Sequence, residues 1–225
     1  MILYLDTETT GTDIENDHII ELAAVLGEER FETLYKPPVH IPPEASAVHH
    51  LTDSDVNGCP TIGIPHSALL WLIKKATVLA GHNIAAFDLP LLRREMPGFW
   101  PELPVLDTLR LARHLWPDLP SHALQALRYR FNLETPAGDP HRAMFDALLC
   151  KELVDYALKH GGIDPLQSPE ELAEFAAKPI PVKVMYFGKH KGEPVETLPG
   201  DYVRWLQRQP WFRDEHPDLW WTLRR

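Results

Sequence analysis

Apolar residues occur first in short unbroken runs and later at helical spacing. Residues 2–5 (Ile-Leu-Tyr-Leu) form a continuous apolar run that reads as a buried strand. It ends in Asp6-Thr7-Glu8-Thr9-Thr10-Gly11, which is polar and turn-like. Residues 19–25 (Ile-Ile-Glu-Leu-Ala-Ala-Val) read as a second strand and residues 31–35 as a third, with Gly27 in the turn between them. Three strands in succession predict an antiparallel meander. Pro37, Pro38, Pro42 and Pro43 follow, and prolines cannot continue a sheet interior.

The pattern then turns mainly helical. Helices are expected over residues 66–75, 89–95, 108–115 and 121–130, with Ser121 as an N-cap, and short buried strands over 77–80 and 105–108. Gly138-Asp139-Pro140 is expected to open a long helix to about residue 159, with Asp139 as N-cap, Pro140 in the first turn and Gly161-Gly162 as the stop. Ser168-Pro169-Glu170-Glu171 has the capping-box pattern and starts a short helix to about residue 177. Residues 182–187 look like a strand, 188–192 a glycine-flanked basic turn, and 201–209 a last helix. Strands first, then strands interleaved with helices, predict an α/β domain with a mixed central sheet flanked by helices. Its expected span is 1–162, followed by a linker with a short helix over 163–180 and a small basic, aromatic C-terminal module over 181–225.

Composition narrows the class. Of 225 residues, 44% are hydrophobic and 24% charged, which is globular rather than disordered. No apolar run approaches the roughly 20 residues of a membrane span, and the start MILYLD lacks the basic region of a secretory signal, so no membrane partner is expected. The two cysteines, Cys59 and Cys150, are far apart, which excludes a disulfide scaffold and a thiolate zinc site and fits the cytoplasm. The formal charge is −10 and unevenly placed. Residues 176–225 carry nine Lys/Arg against six Asp/Glu, whereas the rest carries 13 basic and 26 acidic residues. An acidic body with a basic tail is compatible with a carboxylate-rich metal site joined to an anion-binding appendage.

Four acidic residues stand out. Asp6 and Glu8, two apart, leave one face of an extended chain, and close carboxylates repel unless a cation lies between them. Oxygen-only ligands suit Mg²⁺ or Mn²⁺. Taken alone, Asp-x-Glu is also what a water-exposed turn presents; the preceding apolar run places it at the edge of a core. Asp88 follows the strand at 77–80, where α/β proteins build sites, although an acid before Leu89-Pro90 also serves as a helix N-cap. Asp146 shares a helical stripe with Leu149, Cys150 and Leu153, and burial on that stripe is costly unless the acid is paired or metal-bound. His141 would sit beside it at the mobile start of the long helix; by itself it reads first as a solvated or packed imidazole. The twelve histidines show no HExxH spacing, which disfavours a zinc hydrolase.

DTETTG at the start, HNIAAFD in the middle and HRAMFDA late, in that order, resemble the DEDD superfamily of 3′→5′ exonucleases. The resemblance spans residues 1 to about 160 and implies a ribonuclease-H-like exonuclease fold. It makes Asp6, Glu8, Asp88 and Asp146 the metal-binding acids. His141, five residues before Asp146, marks the histidine subclass (DEDDh); the tyrosine subclass would need Tyr where Arg142 stands. Glu44 and His49 resemble the family segment that contacts the 3′-terminal nucleotide. The stretch from His82 to Asp88 is one residue longer than the spacing in proofreading subunits, and His82, Asn83 and Phe87 carry over with it. Phe187-Gly188-Lys189-His190-Lys191-Gly192 with Tyr202, Trp205 and Leu206 resembles the segment after the nuclease domain in the bacterial exodeoxyribonuclease X family. Leu115-Trp116-Pro117 and Pro136-Ala137-Gly138 have counterparts there too.

What the resemblance implies is hydrolysis of phosphodiesters at DNA 3′ ends, single-stranded or duplex, with two divalent cations, Mg²⁺ or Mn²⁺, as cofactors. His141 would take the proton from the attacking water as general base. Thr9, Thr10 and Gly11 would admit the terminal nucleotide, and Phe87 would stack on a base. Lys189 and Lys191 would meet phosphates, Arg204 and Arg208 either join a strand-gripping surface or are merely solvated, and Tyr186, Phe187, Trp205 and Trp211 either grip a strand or build the module's small core. DNA repair is the expected setting. An exoribonuclease acting on RNA, or a polymerase-associated proofreading or interaction module, are the alternatives. Several members of the histidine subclass are dimers, so a homodimer stays open.

Overall fold

Strand β1 (Ile2–Thr9) continues through the acidic segment that the sequence marks as a turn. Those polar residues stay in the ladder because β2 (Ile19–Leu26) pairs with them in antiparallel register, Asp6 opposite Ala23 and Glu8 opposite Glu21. A register shift between Glu8 and Thr9 ends the regular pairing. Strand β3 (Glu29–Leu34) completes the expected meander. Strands β4 (Val78–Gly81) and β5 (Val105–Asp107) add in parallel on the other side of β1. The sheet order is β3-β2-β1-β4-β5, which puts β1 at its centre.

This computed structural model describes residues 1–64, 66–134, 138–164 and 167–224; Pro136 and Ala137, singled out above, lie outside them. Two units divide the chain, Met1–Ala177 and Lys178–Arg225. In the first, helices α1 (Pro43–His49), α2 (Ser67–Lys75), α3 (Asp88–Glu95), α4 (Thr108–Leu115), α5 (Leu124–Phe131), α6 (Ala143–His160) and α7 (Pro169–Ala177) surround the sheet. Strand alternation divides the packing into two cores. Leu3, Leu5, Leu22 and Leu79 meet Leu69, Leu72 and Leu92 of α2 and α3 on one face. Tyr4, Val25, Val78 and Leu106 meet Leu111, Leu127, Phe145, Leu149, Leu153 and Leu172 of α4 to α7 on the other.

Several boundaries depart from the sequence reading. The proline-rich connection holds α1, since Pro43 fits a first helical turn. Helix α5 starts at Leu124, not Ser121; the Ser121 hydroxyl instead accepts the Ala123 N–H at 3.3 Å. Helix α6 starts at Ala143, with Arg142 rather than Asp139 at the N-cap position and no local side-chain cap. His141 therefore precedes the helix, in a left-handed conformation (φ 61°). Helix α7 buries Leu172, Ala173 and Ala176 in the larger unit's core, so most of the segment expected as a linker is part of that unit.

The second unit has its own core of Met185, Val195, Leu198, Leu206, Phe212 and Leu219. Its helices are α8 (Gly200–Gln207), α9 (Phe212–Glu215) and α10 (Pro217–Thr222). The strand expected over 182–187 is reduced to one bridge, Val184 to Pro194. Proline has no N–H to extend the ladder, although Met185 and Val195 still bond across the turn to Glu193 and Lys183.

Candidate active site

Asp6 and Glu8 project from the β1 face that carries Tyr4, toward α6, where Asp146 occupies the first turn. One ligand oxygen from each of Asp6, Glu8 and Asp146 lies within 4.8 Å of the others. Donors facing each other across an octahedral Mg²⁺ lie about 4 Å apart, so three carboxylates at this separation fit a hard divalent cation with little movement. Glu8 and Asp146 are buried. Burial, then Asp88, Asp146 and Glu8, push the Asp6 carboxyl well above its usual range. Burial, with Asp146, Glu21 and Asp88 beside it, raises Glu8 to about 9, and Asp146 is raised by burial. Excess negative charge in a water-poor site is the condition a bound cation relieves.

Asp88 approaches from the opposite side of β1. It is the first residue of α3 rather than its N-cap, and the Thr7 hydroxyl donates to its Oδ1 at 2.6 Å. Thr7 is on the other face of the strand from Asp6 and Glu8, which explains why Asp88 is outside the tight trio while still raising the Asp6 carboxyl. Burial lifts Asp88 to about 6, and the Thr7 hydrogen bond opposes that rise.

Asp146 is held from two sides. Gln125 of α5 donates to its Oδ1 at 2.7 Å, and the His141 backbone N–H donates to its Oδ2 at 3.1 Å. The His141 side chain is exposed at this rim. Beneath lies a pair that sequence reasoning missed. Glu21, fully buried on β2 opposite Glu8, accepts Arg142 Nε at 3.0 Å, Arg142 Nη2, and the Ala143 N–H at 3.0 Å. The α6 cap is thus a tertiary carboxylate from β2. A lone acid inside the apolar run 19–25 was its one signal; Gln125 had none.

The remaining predicted contacts separate. The Thr9 hydroxyl donates to the Gly11 carbonyl, and that of Thr10 to Asp17 Oδ1 at 2.8 Å, so both shape their own loop instead of presenting hydroxyls outward. A Cβ on Gly11 would come within 2.4 Å of the Asp17 carboxylate, so a larger residue there would have to displace that side chain. His82 is a strut: its ring nitrogens meet Thr108 Oγ1 at 3.0 Å and the His122 carbonyl at 2.9 Å, and burial lowers its pKa to about 4. Asn83 is exposed in a left-handed turn and Phe87 half-buried before α3. Glu44 is exposed on α1. His49 is buried, with Nδ1 accepting the Leu51 N–H and Nε2 left without a partner. Lys189 and Lys191 are exposed in the second unit. Among the described residues, no helix is long and apolar enough to cross a membrane.

Comparison with known proteins agrees with this geometry. The RNase_T exonuclease family model matches residues 3–154. Exodeoxyribonuclease 10 of Escherichia coli K12 is 30% identical over 217 residues, covering 92% of this chain and 90% of that protein. DNA polymerase III subunit epsilon of Treponema pallidum is 37% identical over 166 residues, covering 69% of this chain and 75% of that one. The structure of exonuclease X in complex with 5′ overhanging duplex DNA superposes with a TM-score of 0.59 at 27% identity, over 79% of this chain and 100% of that one. A family match over most of the chain, and a relative aligned along nearly all of it, make this enzyme a member of the RNase_T exonuclease family, within the DEDD superfamily of 3′→5′ exonucleases.

Proposed function

We propose that this nuclease is a metal-dependent 3′→5′ exodeoxyribonuclease that releases nucleoside 5′-monophosphates from DNA 3′ ends, with end processing in DNA repair as its setting. The observation that carries the reading is the convergence of three carboxylates, Asp6, Glu8 and Asp146, at one end of the central strand. Asp88 adds a fourth negative charge, and four carboxylates balance two dications. Mg²⁺ or Mn²⁺ held there would polarise the scissile phosphate and stabilise the leaving 3′-oxygen.

This chain's own residues supply the rest. Asp146 keeps its oxygens oriented through Gln125 and the His141 N–H. That backbone bond anchors His141 at the acid cluster, and its exposed imidazole would face a water attacking a phosphate bound there. It serves as general base. His49, buried beside the Thr9 backbone and with its pKa lowered by that burial, would turn its Nε2 toward the terminal nucleotide. Phe87 and the Gly11 loop would contact the terminal nucleoside, and Lys189 and Lys191 phosphates further along. DNA is favoured as substrate because an exodeoxyribonuclease aligns over 92% of this chain, and a stand-alone nuclease is favoured over a polymerase-associated module because the polymerase subunit aligns over only 69%.

The test is digestion of 5′-labelled and 3′-labelled DNA and RNA oligonucleotides with Mg²⁺, with Mn²⁺ and with EDTA. The expected result is a metal-dependent ladder from 5′-labelled DNA that shortens from the 3′ end. Preferred cleavage of RNA, or no cleavage of either, overturns the proposal.

A further inference from the structure

Most aromatic residues of the second unit are committed to its own packing. Phe187 stacks on His216 at 4.1 Å and 13°, and with Trp211 it lies against the core of Met185, Leu206 and Phe212. These two are therefore structural, not strand-gripping as the sequence alone allowed. Trp205 is different. It sits on α8, half of it is solvent-exposed, and it takes no part in that core. Its ring lies nearly parallel to Tyr202, 5.6 Å away and tilted by 24°.

Tyr202 is held in place for that contact. The buried His190 ring backs it at 4.4 Å, and Gly188 approaches so closely that a Cβ there would come within 2.9 Å of the Tyr202 hydroxyl. Gly188 also has φ +67°, which favours glycine, and the turn it starts brings Lys189 Nζ to 5.7 Å from the Tyr202 ring centre. Lys189, Asp201, Tyr202 and Trp205 line one open cavity of about 350 Å³. Asp201 is occupied locally: its Oδ1 accepts the Tyr202 N–H at 2.9 Å, in the first turn of α8 where a negative charge is favoured. Lys189 is then the side chain at the rim that offers charge to a ligand.

We propose that the Lys189–Tyr202–Trp205 cavity is a single-stranded DNA subsite, in which one nucleobase stacks on Trp205 and a backbone phosphate meets Lys189. This deepens the exodeoxyribonuclease reading and rests on it for the identity of the polymer. An open aromatic plane beside a cation is the combination by which proteins hold single strands without regard to sequence. An acidic peptide would match the lysine but has no planar ring to cover the indole. The excess of nine basic over six acidic residues in 176–225 gives this region the sign that a polyanion needs.

The experiment uses the full chain in EDTA, so that nothing is hydrolysed. Anisotropy of a labelled 20-nucleotide single strand is titrated with wild type, Trp205→Ala, Trp205→Phe and Lys189→Gln, and melting curves check that each variant folds. Trp205→Ala should weaken binding about fivefold to a hundredfold, while Trp205→Phe should retain most of it. Lys189→Gln should lower the salt dependence by about 0.7 in the slope of log K against log salt. A strand carrying 5-iodouracil should photo-cross-link to the peptide containing Tyr202 and Trp205. Wild type that digests DNA yet binds equally with and without Trp205 overturns the subsite and leaves the nuclease reading intact. Cross-linking through Trp205 without digestion does the reverse, and a wild type that does neither overturns both.

Discussion

Replacing Arg142 by alanine tests whether the buried Glu21 carboxylate fixes the active-site end of α6. In the native protein Glu21 is fully buried and receives two guanidinium hydrogen bonds and the Ala143 N–H. Arg142→Ala leaves only the backbone donor, with a buried negative charge beside Glu8, its cross-strand neighbour. Breaking a buried ion pair from one side costs about 3–5 kcal/mol. Arg142 is 35% exposed, so water compensates in part and about 2–3 kcal/mol is expected here. In a chain of this size each kcal/mol shifts Tm by roughly 2–4 °C, giving a fall of about 5–10 °C. Because Asp146 sits one turn beyond the cap, kcat should fall more than KM rises. Arg142→Lys supplies charge without the two-pronged geometry and should lie in between. The double variant Glu21→Gln/Arg142→Ala removes the stranded charge and should recover a large part of the lost stability, a coupling that the double-mutant cycle measures directly. Melting in EDTA and DNA hydrolysis in Mg²⁺ are the assays. An Arg142→Ala protein that melts within about 1 °C of wild type, or a double variant no more stable than the single one, would refute the reasoning.

Two further outcomes follow from the acid cluster. Glu8, raised to about 9, and Asp88, raised to about 6, keep protons in the folded state that the unfolded chain gives up near pH 4. Their contribution to metal-free stability is complete below the unfolded values and is lost as pH rises through the folded ones. Thermal melting in EDTA should therefore decline between about pH 5 and pH 9, with Mg²⁺ restoring more stability at pH 8 than at pH 6; a metal-free Tm that climbs over that range contradicts the assignment. His141→Ala should slow hydrolysis at neutral pH by about 10²–10⁴-fold while DNA affinity in EDTA stays near that of wild type, and rapid turnover by this variant would remove the general-base role.

The acids of the candidate site were legible because they punctuate strong patterns. An acid pair closing an apolar run, an acid after a short buried strand, and an acid on a buried helical stripe were each visible as residue types in sequence order. The antiparallel meander and the helices beside it followed from short unbroken apolar runs and helical spacing. Local propensity misled where the deciding partner lay elsewhere in the chain. Asp139-Pro140 is a good helix start by its own composition, yet α6 begins at Ala143 because the Glu21 carboxylate, 122 positions earlier, takes its N–H. Likewise the residues 6–9 looked like a turn, and only pairing with β2 keeps them in a strand.

The linear order of residues thus determined which groups are available: four acids, a histidine near the last of them, and a basic aromatic tail. Tertiary structure decided how they are used. It placed Asp6, Glu8 and Asp146 on one side of β1 with Asp88 on the other, and it turned His82 and the Thr9 and Thr10 hydroxyls inward as struts. It also left Trp205 out of the small core that holds Phe187 and Trp211. The reason is physical: side-chain type and spacing are properties of the chain, whereas hydrogen-bond partners, burial and the mutual approach of charges exist only once distant segments are packed together.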